Sequence, residues 1–184
     1  MKRTCNRSWY SLGFQCALLM AVLAISGGCK SHKKTVRNTF TPQEEIIIER
    51  EAESSLKGEE LRVIEEAFEW MNTPYVYGGE EKGKGTDCSG MVMVIYEKTI
   101  GCKLPRVSYK QAEFCEEINE HHVKPGDLVF FITNSGNRIN HVGIMIDDKK
   151  FIHASSHGVV ISTMEGDYYK AHFQKYGRVP CMKH

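Results

Sequence analysis

The sequence predicts an α+β domain with helices packed on an antiparallel sheet, and three observations carry that prediction. Apolar residues recur at three- and four-residue steps behind helix-start signals through the first half of the chain. After Pro125-Gly126 the texture changes to short apolar runs broken by turn residues every 8–10 positions. The chain has 184 residues, 41% apolar and 26% charged, which suits one globular domain and excludes a wholly disordered, collagenous or polytopic membrane protein.

The amino terminus reads as a targeting segment. Lys2, Arg3 and Arg7 precede an apolar run from Cys16 to Ile25, which ends at Ser26-Gly27-Gly28-Cys29. Spanning a bilayer takes roughly 20 helical residues, twice that run. A charged start, a short apolar centre and a small-residue boundary mark residues 1–28 as an export signal. The small residues before Cys29 resemble a bacterial lipobox, which implies cleavage there and a lipid on the Cys29 thiol; Ser26 stands where such boxes usually carry Leu. A plainly cleaved signal or an uncleaved anchor is the other reading. Residues 29–40, polar and basic, form a flexible tether.

Thr41-Pro42-Gln43-Glu44 has the pattern of a capping box with Pro at the first helical position, opening an acidic helix to about Ser54 within an extension over residues 41–58. The main domain spans residues 59–181. Leu61, Ile64, Phe68 and Met71 give the next helix one apolar stripe, ending before Pro74. A glycine-rich loop follows, reaching a third helix at about Asp87 or Cys88 that buries Met91, Val92, Val94 and Ile95 and stops near Gly101. Ser108 to Gln111 repeats the capping-box pattern. Strands are expected at 128–132, 142–146, 151–154, 159–161 and 176–179.

Net charge is +3 over residues 1–28, +4 over 29–40, −6 over 41–66 and zero beyond, so the folded part has no basic stripe for nucleic acid. Cys102, Cys115 and Cys181 read as small buried hydrophobes, since their irregular spacing does not suggest a staple framework.

The sharpest chemical feature is Thr86-Asp87-Cys88-Ser89-Gly90 at a loop-to-helix junction. A thiol in the first turn of a helix faces unpaired N–H groups that stabilise its thiolate and lower its pKa. The pentapeptide alone fits equally a small buried cysteine with Asp87 as a simple N-cap. A nucleophile needs a base, and the base an orienting group. His141 and His153 sit in adjacent expected strands; a three-residue loop at Asp148-Lys149-Lys150 pairs Met145 with His153 and puts both histidines on one face. A two-residue loop would separate them. Taken singly, each suits a structural role, and with Asp87 they could also ligate zinc, although no tight ligand spacing supports it.

Six patterns in order resemble the NlpC/P60 cell-wall peptidases: Pro74-Tyr75-Val76-Tyr77-Gly78-Gly79, Gly85 through Gly90, Leu104-Pro105-Arg106 with Ser108, Pro125-Gly126-Asp127-Leu128, His141-Val142-Gly143-Ile144 and His153-Ala154. They cover roughly Leu61 to Pro180. The resemblance implies a papain-like fold with Cys88 as nucleophile, His141 as base and His153 orienting it. It places the Tyr75 hydroxyl near the developing oxyanion, Asp87 and Ser89 beside a free amino group of the substrate, and Arg106 and Ser108 near the cleft; Tyr77 reads as a packing residue. The implied activity is thiol hydrolysis of a peptidoglycan stem amide, commonly γ-D-glutamyl to diaminopimelate, without cofactor or metal. Together with the lipobox it implies a monomer anchored by lipid to a membrane of the bacterial cell envelope. A non-catalytic envelope-binding lipoprotein, or an amidase or acyltransferase on lipids or small amides, would share the fold.

Overall fold

Thr41 opens the first helix through a reciprocal pair of bonds: its hydroxyl accepts from the Glu44 N–H (3.4 Å) and the Glu44 carboxylate accepts from the Thr41 N–H (2.7 Å). A computed structural model describes residues 39–183, so the export signal, Cys29 and nearly all of the tether lie outside the described residues. Helix α1 (Pro42–Ser55) buries Ile48 and Ala52. Helix α2 (Gly58–Glu69) turns Val63, Ile64, Ala67 and Phe68 inward. Leu61 and Met71, expected on its stripe, are half-buried, because Val63 and Glu66 take the centre. Glu66 tolerates this through Lys82, Lys98 and the Trp70 Nε1–H, which together outweigh burial and hold its carboxyl below the ordinary value.

The glycine-rich stretch is a small hairpin, β1 (Glu80–Glu81) with β2 (Gly85–Thr86). It leads into α3 (Cys88–Ile100), capped by Asp87 at one end and by Gly101, left-handed at φ 70°, at the other. Helix α4 (Ser108–Phe114) is not opened by a capping box. Val107 is its N-cap, Ser108 is its first residue, and Gln111 donates instead to the carbonyls of Ser89 and Pro105, both at 2.9 Å. That bond pair ties α4 to the first turn of α3.

The sheet comprises β3 (Glu116–Ile118), β4 (Leu128–Phe131), β5 (His141–Met145), β6 (Lys150–Ser155), β7 (Gly158–Thr163) and β8 (Phe173–Arg178), with α5 (Asp167–His172) before β8. Its order is β3-β8-β4-β5-β6-β7, with neighbours antiparallel throughout. Strand β3, helix α5 and the β1–β2 hairpin were not expected from periodicity, which two or three residues, or six, cannot establish. One face of the sheet, with Val142, Ile144, Ile152 and Ala154, shares a core with the helices. The other face gathers Phe131, Met145 and Phe151 around Tyr169 and Tyr176.

Two expectations are corrected here. The β5–β6 register pairs Ile144 with Ile152 and Met145 with Phe151, not Met145 with His153. The Asp147 side chain accepts from the N–H groups of Lys149 (2.8 Å) and Lys150 (2.7 Å), so the turn falls at 147–149. Cys102 and Cys181 are not two separate buried hydrophobes; they form a disulfide, Cα to Cα 6.0 Å, between the end of α3 and the carboxyl-terminal segment, while Cys88 and Cys115 stay free.

Candidate active site

The site begins with a break in the sheet. Strands β5 and β6 pair only at Ile144↔Ile152 and Met145↔Phe151. A continued ladder would join the Val142 N–H to Ala154; instead that N–H donates to the sulfur of Cys88, which also lies 3.9 Å from the carbonyl oxygen of Asn140. The thiol from the first turn of α3 therefore rests against the backbone on both sides of His141. Asp87 holds this turn in place: its carboxylate accepts from the Gly90 N–H (2.8 Å) and from the Gly78 N–H (2.8 Å).

On the far side of His141, its Nε2 lies 2.8 Å from Nδ1 of His153, with the rings edge to face at 4.9 Å. Nε2 of His153 in turn faces the hydroxyls of Ser162 (3.0 Å) and Tyr169 (3.1 Å). Gly143 opposes His153 across the register and must be glycine: a Cβ there would sit 2.6 Å from the Phe151 ring and 3.3 Å from the His153 Cβ.

Burial governs the charge state of the pair. It pushes the Cys88 thiol up to about 11, with the Asp87 charge adding to the rise and the N–H groups of Val142, Ser89 and Cys88 opposing it. Burial likewise pulls His141 down to about 4 and His153 well below the ordinary value. The expected lowering of the thiol pKa by the helix terminus is thus overturned: desolvation outweighs the N–H groups, so burial favours the neutral thiol at Cys88 and the neutral imidazole at His141.

The cleft above the sulfur holds about 730 Å³ and is walled by Tyr75, Tyr77, Arg106 and the loop 133–140. A match to the NlpC/P60 family model covers residues 72–178. The chain belongs to the NlpC/P60 family. Over 165 residues it is 33% identical to "Probable endopeptidase NlpC" of Escherichia coli, 89% of this chain and 98% of that one. It is 39% identical to the "Murein DD-endopeptidase MepS/Murein LD-carboxypeptidase" of the same organism, across 64% of this chain and 62% of that protein. A solved NLP/P60 lipoprotein-like structure from Staphylococcus aureus superposes with a TM-score of 0.61 at 31% identity, over 66% of this chain and 41% of that one. These solved NlpC/P60 domains share the mixed architecture of helices on an antiparallel sheet.

Within this NlpC/P60 cleft the other sequence-predicted residues fall into two groups. Tyr75 lies alongside Thr86 and lines the cleft with Cys88; burial and the nearby Cys88 and Asp87 keep its phenol protonated. Asp87, Ser89 and Arg106 form one cluster: Arg106 reaches both Asp87 oxygens (2.9 and 2.8 Å) and the Ser89 hydroxyl (3.1 Å), and also pairs with Glu80. Burial raises the Asp87 carboxyl, but Arg106 and the two amides outweigh it. Ser108 is buried at the cleft edge. Asp87 stands with Arg106 and not with the histidines, and among the described residues no three metal-binding side chains converge.

Sequence reasoning missed four residues. Tyr77 is 89% exposed on the cleft rim, not packed. Asn140, given no role, closes the neck of the rim loop, its amide accepting from the Thr133 N–H (2.7 Å) while its carbonyl meets the sulfur. Ser162 and Tyr169 emerge only from the folded sheet; nothing in their spacing signals His153.

Proposed function

We propose that this protein is an exported cysteine endopeptidase that cuts an amide in the peptide stem of peptidoglycan, held to a membrane of the bacterial cell envelope by lipid on Cys29. What supports the reading is that Cys88 lines an open cleft with its sulfur against the carbonyl of Asn140, the residue before His141, and that His141 in turn meets His153. The endopeptidase names of relatives that align over most of their own length support it. The Cys102–Cys181 disulfide supports export, because such bonds persist in oxidising compartments. No helix among the described residues is long and apolar enough to cross a membrane, so anchoring rests on residues 1–29.

The chemistry follows from the neutral pair. With Nε2 of His141 engaged by His153, Nδ1 is the nitrogen left for sulfur. The thiol proton passes to Nδ1 as sulfur attacks the carbonyl carbon, and the Tyr75 hydroxyl with the Cys88 N–H steadies the oxyanion. The imidazolium then protonates the leaving amine, and water cleaves the thioester by the reverse proton route.

The bond first favoured is γ-D-glutamyl to diaminopimelate, with a free stem amine recognised beside Asp87. A specific observation favours a second bond: both Asp87 oxygens are already taken by Arg106, Gly78 and Gly90, so an incoming ammonium must displace Arg106. A D,D crosslink needs no such displacement, and a relative is named for that bond. Mass analysis of products from defined muropeptides decides between them: loss of an alanyl-glutamate piece identifies the first, separation of two stems the second. No product from either, with properly folded protein, overturns the peptidase reading.

A further inference from the structure

We propose that Tyr169 and Ser162 are positioning residues for the base: together they hold His153 with its hydrogen on Nε2, which leaves Nδ1 of His141 to receive the thiol proton. The inference rests on the peptidase reading. It begins from a proton count along the two rings, of which His153 has neighbours at both nitrogens. His153 is buried, with Nδ1 2.8 Å from Nε2 of His141 and Nε2 within 3.0 Å of Ser162 Oγ and 3.1 Å of Tyr169 Oη.

One hydrogen lies between the two imidazoles, and its owner decides the chemistry. Were it on Nδ1 of His153, a neutral His141 would carry its own hydrogen on Nδ1 and could accept nothing from the thiol. With the hydrogen on Nε2 of His141, Nδ1 is bare and ready, and a neutral His153 must then carry its hydrogen on Nε2. A bare ring nitrogen has one in-plane lone pair and takes one donor, whereas an N–H can be shared between two oxygens. Two hydroxyl oxygens at nearly equal distance from Nε2 fit a shared N–H, with the Ser162 and Tyr169 hydroxyls also hydrogen-bonded to each other.

The fold delivers both hydroxyls to this spot. Ser162 lies on β7 opposite Phe151, fully buried. Tyr169 comes from α5, its ring edge-on to Phe151 (4.8 Å, 88°) and to His153 (5.5 Å, 81°), so packing fixes where its oxygen points. During attack the thiol proton moves to Nδ1 of His141, Nε2–H stays donated to His153, and His153 gains no proton. The same proton later leaves on the amine.

Nitrogen-15 NMR of histidine-labelled protein reads the tautomer without any turnover. The expected result is a protonated Nε2 and a bare Nδ1 on His153; a protonated Nδ1 overturns the proposal. In kinetics, Tyr169→Phe and Ser162→Ala should each lower kcat roughly tenfold with KM unchanged, the rate equivalent of one lost bond to a buried group. The double variant should lose more, and Ser162→Thr, which keeps the hydroxyl, should recover most of the rate. A double variant with undiminished kcat, or with only KM altered, overturns the inference while leaving the peptidase reading intact. Wild-type protein that turns over no muropeptide removes the reading itself, and the NMR result still judges the tautomer.

Discussion

Cys88 illustrates how burial can reverse an inference drawn from position along a helix. The first turn of α3 supplies N–H groups, as the sequence indicates, yet Cys88 is only 6% exposed and desolvation prevails. Alkylation of Cys88 in the free protein should therefore be slow at neutral pH and rise as pH approaches about 11; rapid labelling at pH 6 would contradict the neutral pair. Turnover should fall as pH drops through about 4, where His141 takes a proton and can no longer act as base. The same group bears on stability. Its folded value lies below the ordinary 6.5, so the unfolded chain binds more protons as pH falls. Its contribution is complete above about 6.5 and is lost as pH drops through about 4, which thermal melts across that window should register. Tyr75→Phe should lower kcat about 100-fold with little change in KM, the usual effect of one missing oxyanion donor. Cys88, His141, His153 and Tyr75 were legible as candidates because each sits in a local motif. Ser162 and Tyr169 were not, because their role depends on strand pairing and on a six-residue helix.

At the scale of elements, parity mattered more than register. The β5–β6 pairing slips by two residues from the expected one, and since side chains alternate with period two, His141 and His153 keep a common face. The slip comes from Asp147, whose side chain caps a turn at 147–149, one residue earlier than the expected loop at 148–150. Helix boundaries with strong local signals, Thr41 and Gly101, fall where the chain indicates. The Ser108 capping pattern failed because the Gln111 amide donates instead to the carbonyls of Ser89 and Pro105. The opposition of Gly143 and His153 yields a stability prediction: Gly143→Ala should cost about 1–3 kcal/mol in denaturant melts by overpacking against Phe151 and His153. An unchanged midpoint would mean that the strands can part to admit the methyl group.

For the molecule as a whole, the α+β architecture was legible from texture alone, and the sheet order was not, since β8 inserts between β3 and β4 through pairings distant in sequence. The disulfide was likewise hidden: 79 residues separate its cysteines, and spacing carries no sign of their meeting. Reducing it, or Cys102→Ser, should lower stability by roughly 2–5 kcal/mol while leaving Cys88 chemistry in place. The central claim is that Cys88 carries the acyl group during turnover, and the direct measurement is intact-mass spectrometry of protein quenched in acid while cleaving a defined muropeptide. The account predicts a covalent adduct of the acyl fragment on Cys88 that vanishes with Cys88→Ala together with product release. Undiminished cleavage by Cys88→Ala, with no adduct on the wild-type chain, would contradict it.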